Sequence, residues 1–157
     1  MHRKLIALAA TVSALTLAGA ATAHVVVTPG QVEAGSFVTF TMSVPNEKAK
    51  PTTKVRLVIP EGVVVYAVEP VPGWRITLVK SGGRVIAIVV KGRLAPERFQ
   101  RFAFLAAVPE QPTTLTWKAY QTYRGGEVVR WTGEPGDEEA STTTVVAASE
   151  NQEGHHD

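Results

Sequence analysis

The chain has 157 residues, contains no cysteine, and carries 16 basic and 14 acidic residues. Without cysteine it forms no disulfide, thiolate metal site or cysteine nucleophile. The length suits a single domain with its own hydrophobic core. Arg3 and Lys4 are the only charged residues before position 24, so residues 24–157 have 14 basic and 14 acidic groups and almost no net charge. With no basic run in that part, the sequence gives no indication of nucleic-acid binding.

The first 23 residues have the pattern of a secretory signal peptide. The two basic residues precede an apolar and small-residue stretch at 5–20, and Ala21, Thr22 and Ala23 form the A-x-A sequence of a signal-peptidase site. A membrane anchor is the alternative for an apolar stretch of this length. However, the stretch is rich in Ala, Thr and Ser and ends at small residues rather than at a basic cluster. We therefore predict cleavage after Ala23 and export to the periplasm, the cell envelope or the medium.

The rest of the chain has the pattern of an all-β domain at 24–148. Short runs rich in β-branched and aromatic residues alternate with Gly, Pro and Asn, and no segment keeps a helical period. Ser81–Gly83 and Gly125–Gly126 have the composition of hairpin turns. The predicted strands are 24–28, 36–44, 54–59, 63–68, 74–80, 84–91, 99–108, 113–123, 127–131 and 141–147. This spacing predicts an antiparallel β-sandwich of cupredoxin-like or immunoglobulin–fibronectin-like architecture.

Residues 149–157 are polar and are predicted to form a flexible tail. The tail contains His155 and His156, which we interpret as solvated residues, with weak metal binding as the alternative. Because it has no apolar run, we expect no membrane span once the signal peptide has been removed.

His24 is the only histidine between the signal peptide and the tail. At a new N-terminus, its α-amine and Nδ1 can chelate one metal ion in a six-membered ring. The amine has a pKa of about 7.7–8.0, so a metal displaces its proton readily. Two nitrogens in a fixed bite suit tetragonal Cu(II), which also stands highest in the affinity order for such ligands. The alternative is an exposed polar residue with no function.

A chelate of two nitrogens leaves coordination positions of the metal ion open, and a carboxylate or water can fill them. If strand 24–28 pairs with strand 36–44 as a hairpin, Thr28 lies near Ser36 and His24 lies near residues 40–44. The chain that leaves the second strand then brings Glu47 to the same end. Glu47 is therefore the first candidate for an oxygen ligand, and Glu97 is its competitor. Spacing does not separate the two.

The sequence contains three tryptophans. Trp74 and Trp117 are predicted to pack in the core or between strands. Trp131 ends a predicted strand beside a turn, where its ring can flank a site at one end of the sandwich.

A set of motifs along residues 23–133 resembles the YcnI-like family of exported bacterial proteins. Each motif alone is weak, but the set occurs in the same order over nearly the whole domain. The motifs are HVVVTP at 24–29, VPNEK at 44–48, PTTKV at 51–55, IPEGV at 59–63, PVPGW at 70–74, and the segments 99–102, 115–123 and 129–133.

The resemblance implies a β-sandwich that binds Cu(II) through its mature N-terminal histidine in a monohistidine brace. A carboxylate completes this site and a tryptophan lies close to it. By motif, the histidine is His24, the tryptophan is Trp131 and the carboxylate is Glu47. The family is associated with copper uptake or homeostasis in the envelope, which implies an envelope copper transporter or another copper carrier as partner. Many members have a C-terminal membrane anchor, and this sequence departs from them by ending in a polar tail.

The residue inventory favours a binding protein over the other classes. A polysaccharide-monooxygenase type of copper enzyme needs a second imidazole, and blue-copper electron transfer needs a cysteine. A serine triad needs a histidine base within the domain. Met42 is the only methionine after Met1, so a methionine-rich Cu(I) site is excluded. We therefore expect a non-enzymatic chaperone, carrier or sensor for Cu(II). A copper-dependent oxidative enzyme and a metal-free envelope interaction module remain as alternatives.

Overall fold

The structure is a computed structural model that describes residues 23–149. The predicted signal peptide (apart from Ala23) and most of the predicted tail, with His155 and His156, lie outside these residues. Twelve strands form in the described part, and no helix in it is long and apolar enough to cross a membrane. The first six strands are β1 (Val26–Thr28), β2 (Gln31–Glu33), β3 (Phe37–Asn46), β4 (Thr52–Val58), β5 (Val64–Val68) and β6 (Arg75–Ser81). The other six are β7 (Arg84–Leu94), β8 (Arg98–Ala107), β9 (Thr113–Trp117), β10 (Ala119–Tyr123), β11 (Val128–Trp131) and β12 (Ser141–Val146).

The strands form a β-sandwich, as the sequence predicts. One sheet has the order β1-β3-β8-β5, a second has the order β11-β10-β4-β7-β6, and a small third sheet has the order β2-β12-β9. Every pair of neighbouring strands is antiparallel except β2 and β12, which are parallel. The third sheet contains the main difference from the prediction, because 31–33 forms a strand where a loop is expected.

Alternation along the strands builds the core between the sheets. In β3, Phe40, Met42 and Val44 are buried, and in β4 the buried residues are Val55 and Leu57. Side chains between these positions point away from the core because successive residues of a strand face opposite sides. The alternation of apolar and polar residues in the sequence of β3 therefore agrees with the observed burial, and Met42 belongs to the core.

Two predicted hairpin turns are confirmed by the backbone. Gly82 and Gly83 join β6 to β7, and both have positive φ (57° and 78°). Ser81 lies opposite Arg84, so the connection is a two-residue turn of the kind that needs this conformation at both positions. Gly125 and Gly126 also have positive φ (94° and 92°), and they lie in a three-residue turn between Tyr123 and Glu127. The predicted strand 113–123 is instead divided at Lys118, because β9 pairs with β12 whereas β10 pairs with β4 and β11.

Trp117 and Trp74 pack as predicted, in different ways. Trp117 is fully buried and packs against the rings of Phe40 and Phe104, which also stack on each other. Trp74 is half-buried, with its ring edge-on to Phe102, and it covers the backbone of Gly92. A Cβ atom at position 92 would lie 2.5 Å from the Trp74 ring, so the indole can take this place only over glycine.

We expect Gly92→Ala to lower the free energy of unfolding by about 1–3 kcal/mol, because the indole must leave its packed position. Urea unfolding measures the change. Gly30→Ala is the matched control, since a Cβ there meets nothing within 4 Å, and its effect should stay within about 0.5 kcal/mol. Equal midpoints and slopes for the wild type and the Gly92 variant would contradict the packing argument.

Candidate metal site

The N-terminal segment reaches the site by pairing with β3. The predicted antiparallel pairing is confirmed, but the predicted register is wrong: Thr28 lies opposite Thr41 instead of near Ser36. The register moves by five residues because 31–33 leaves this sheet and pairs with β12, so β1 and β3 are not joined by a tight turn. If the observed register is extended from β1 toward the N-terminus, His24 lies level with Pro45 rather than with residues 40–44. The N-terminal segment therefore lies beside the chain that leads to Glu47.

Glu47 contacts the residue directly before His24. The backbone N–H of Ala23 donates a hydrogen bond to Oε1 of Glu47, at 2.9 Å. Both residues are exposed, and neither of the two ion pairs within residues 23–149 uses Glu47.

The loop that carries Glu47 is fixed by its neighbour Asn46, which is only 2 % exposed. The Asn46 side chain donates to the carbonyl oxygens of Lys50 and Leu94, each at 2.9 Å. Its Oδ1 accepts a hydrogen bond from the N–H of Lys48 at 3.0 Å. Because all of these bonds involve backbone groups, they set the path of the chain on both sides of Glu47. The carboxylate therefore extends from an anchored turn although it is itself exposed.

Trp131 lies against the histidine. Its ring meets that of His24 edge-on, with 5.4 Å between the ring centroids and 71° between the planes. The indole is 6 % exposed, and its Nε1–H donates to Oε1 of Gln121 at 3.2 Å. Gln121 is fully buried and donates through Nε2 to the carbonyl oxygen of Pro45 and to the hydroxyl of Thr52, each at 2.8 Å. Every polar atom of this amide is therefore used to hold the indole beside β3.

Two adjacent clefts surround these residues. The first has a volume of about 170 Å³ and is lined by Ala23, Glu47, Lys48, Tyr123, Val129, Trp131 and Glu138. The second, of about 200 Å³, is lined by His24, Val25, Val26, Glu139, Ala140 and Ser141. Glu47 and Ala23 thus line one cleft and His24 lines the other. Within residues 23–149, no three His, Asp or Glu side chains converge on one point.

Glu138 and Glu139 also line the two clefts, although their spacing in the sequence does not place them there. Trp131 forms an isolated bridge with Glu138, and the Glu138 carbonyl accepts hydrogen bonds from the N–H groups of Thr132 and Gly133. This pairing returns the chain to the site after the turn at 134–137. The acidic run at 137–139, soon after Trp131, is the signal in the sequence, but only the bridge places it.

Glu97, the alternative oxygen ligand, lies near the same end of the molecule. Its N–H donates to the carbonyl of Asn46 at 2.9 Å, and its φ of 58° puts it in the left-handed region. Glu97 is exposed and lines neither cleft. The structure therefore brings Glu47, and not Glu97, to the N-terminal segment.

Lys48 is paired with a carboxylate other than that of Glu47. Its ammonium group forms an ion pair with Glu127 and lies 5.3 Å from the centre of the Tyr123 ring. The hydrogen bond and charge of Lys48 lower the pKa of Glu127. Burial is the main cause that raises the pKa of Tyr123, and its hydrogen bond with Thr52 acts in the opposite direction. The phenol therefore stays neutral at physiological pH as part of the cleft wall.

A family described as "Domain of unknown function (DUF1775)" matches residues 24–148. The "Copper-binding protein CutI" of Bacillus subtilis (strain 168) is 37 % identical over 147 residues, which cover 91 % of this chain and 72 % of that protein. The chain belongs to the DUF1775 family. The resemblance to YcnI-like proteins is confirmed by these two matches.

Solved structures support the fold. An uncharacterized protein from Nocardia farcinica with an immunoglobulin-like fold superimposes with a TM-score of 0.65 and 25 % identity, covering 80 % of this chain and 99 % of that one. A cohesin module from a Clostridium perfringens family 33 glycoside hydrolase gives a TM-score of 0.54 at 13 % identity, over 82 % and 100 % of the two chains. The family member described here is therefore an immunoglobulin-like β-sandwich.

We expect Gln121→Leu to lower the free energy of unfolding by at least about 2 kcal/mol, because it leaves the buried Trp131 N–H and the Pro45 carbonyl unpaired. Urea unfolding measures the loss, and near-ultraviolet circular dichroism reports the change in indole packing. Gln100→Leu is the matched control, because Gln100 makes an exposed bond to the Arg101 carbonyl. If both variants unfold at the same urea concentration and with the same slope, the amide does not fix Trp131.

Proposed function

We propose that this protein is an extracytoplasmic Cu(II)-binding protein that holds one copper ion at its mature N-terminus. The observation that carries the proposal is the position of residues 23 and 24. The Ala23 N–H is bonded to the Glu47 carboxylate, and the His24 ring lies against Trp131. The Bacillus subtilis relative, which is named as a copper-binding protein, supports copper as the ligand.

Cleavage after Ala23 would convert the next nitrogen along the chain from an amide to an amine. The Glu47 carboxylate bonds the backbone nitrogen of Ala23. One residue of chain spans at most about 3.6 Å, so the backbone nitrogen of His24, which cleavage makes an amine, lies only one residue farther along the chain. The amine and the imidazole nitrogen then supply two nitrogen donors, and Glu47 supplies an oxygen. This donor set suits Cu(II), which prefers nitrogen and oxygen ligands in a tetragonal arrangement.

The protein residues have separate tasks in this proposal. The Asn46 turn directs Glu47 toward the N-terminal segment, while Gln121 keeps Trp131 against the His24 ring. The indole shields one side of the imidazole from water and limits its rotation. Lys48 forms its ion pair with Glu127, so the Glu47 carboxylate stays available to a metal ion.

We further propose that the protein acts as a chaperone, carrier or sensor in copper homeostasis, and not as an enzyme. An open, shallow site with one imidazole suits holding and transferring an ion. An envelope copper transporter or another copper carrier is the expected partner. The signal-peptide pattern at 1–23 supports a location in the periplasm, the cell envelope or the medium.

We expect protein that begins at His24 to bind one Cu(II), and one extra residue before His24 to weaken the affinity at least about tenfold. Even outer-shell changes around a metal cost about 10–100-fold, and an extension removes a direct donor by making it an amide. Competition with a Cu(II) chelator measures the affinity. One alanine added at the C-terminus is the matched control and should leave it unchanged. Equal affinity with and without the N-terminal extension would contradict the amine chelate.

We expect Glu47→Gln to alter the electron paramagnetic resonance spectrum of the Cu(II) form, because an amide oxygen is a weaker donor than a carboxylate. Glu97→Gln makes the same change of charge and size nearby, and its spectrum should match that of the wild type. Circular dichroism checks that both variants are folded. An altered spectrum for Glu97→Gln alone would assign the oxygen ligand to Glu97.

A further inference from the structure

The five-stranded sheet β11-β10-β4-β7-β6 contains eight basic residues and no acidic one. The acidic residues of the described chain lie outside these strands, most of them in loops. The near-neutral charge of residues 24–157 therefore conceals a strong separation of charge.

Strand register gathers most of these cations on the outer side of the sheet. Lys54 and Arg56 alternate with the buried Val55 and Leu57, so they point away from the core. The same alternation applies in β7 and β11. We call the resulting surface the basic face, and its cations are Lys54, Arg56, Arg75, Lys91, Arg93 and Arg130.

The cations of the basic face lie directly beside one another. Lys91 is opposite Lys54 on one side and opposite Arg75 on the other, so three positive charges form a row across three strands. Like charges at directly opposed positions of a sheet are destabilising. Of the two ion pairs in residues 23–149, neither includes these residues. The row therefore works against folding stability, which is expected of a surface that is used to bind an external anion.

The extent and composition of the basic face indicate the kind of anion. Five strands spaced about 4.8 Å apart span about 19 Å, which is much wider than a small anion. Protein interfaces are typically enriched in aromatic residues and depleted in lysine at their centre. Here lysine and arginine occupy the centre, and Tyr120, with Arg130 over its ring at 5.6 Å, is the one tyrosine in the outer rows. A broad cationic surface with few apolar anchors suits an array of lipid headgroups.

We propose that the basic face binds the surface of an anionic phospholipid bilayer. The attraction is electrostatic, since each lysine or arginine near such a surface adds to it and salt screens it. Arg130 precedes Trp131 in β11, an edge strand of this sheet, so the candidate metal site lies at the rim of the contact and stays open to solvent. This proposal does not depend on copper binding.

Protein purified after export should bind vesicles of mixed phosphatidylglycerol and phosphatidylcholine at low salt, and not vesicles of phosphatidylcholine alone. Raising the salt to about 1 M, where the Debye length is about 3 Å, should release it. Sedimentation with the vesicles measures the bound fraction. The proposal is overturned if the anionic vesicles bind no protein at low salt, or if soluble polyglutamate binds more tightly than vesicles of equal charge.

The Lys91→Glu variant tests whether the basic face serves binding rather than stability. It should raise the thermal unfolding midpoint and at the same time weaken vesicle binding. It places a carboxylate between Lys54 and Arg75, so the thermal unfolding midpoint should rise. Vesicle binding should fall at least about tenfold, since the surface loses two units of positive charge. Arg101→Glu on β8 makes the same charge change on the other sheet and should keep most of the binding. Equal losses in the two variants would mean that net charge alone matters and would overturn the basic face.

Discussion

The side chain of Gln121 joins the two main sheets at the end of the sandwich that contains the candidate site. From β10 it accepts a hydrogen bond from Trp131 in β11 and donates to Thr52 in β4 and to the Pro45 carbonyl in β3. A buried amide is costly unless all of its partners are present, so these three strands must meet with little freedom. The indole that touches His24 therefore takes its position from Gln121. The same buried residue holds Pro45, which directly precedes the Asn46 turn that carries Glu47.

Edge strands supply most of the site. β1 and β11 are the outer strands of their sheets, and the start of β1 and the end of β11 lie toward Glu47. An edge strand leaves the residues at 23–24 accessible, which a central strand would not. It also leaves only open clefts beside the backbone at 23–24.

Acidic and basic side chains are separated between the loops and the strands of the larger sheet. Most carboxylates of the described residues lie in loops, including the turns that carry Glu47 and follow Trp131. The charged residues in the strands of the larger sheet are all cations. The strands of this sheet are held together by backbone hydrogen bonds, which form whatever charge the side chains carry. The sheet can therefore carry an excess of positive charge. Acidic groups can therefore gather near a cation site while a cationic surface lies on the adjoining sheet.

The sequence by itself determined the local features of this protein. Alternation in β3, paired glycines at 82–83 and 125–126, and the motif set predicted the sandwich, two of its turns and the family, because each depends on neighbouring residues. It also singled out His24, Glu47 and Trp131 by residue type and position. Only the tertiary structure decided which strands lie side by side. Alternation shows which side of a strand is buried but not which residue of the next strand lies opposite. Four features therefore appear only once the sheets are assembled. They are the pairing of Thr28 with Thr41, the hydrogen bonds of Gln121, the bridge between Glu138 and Trp131, and the row formed by Lys54, Lys91 and Arg75.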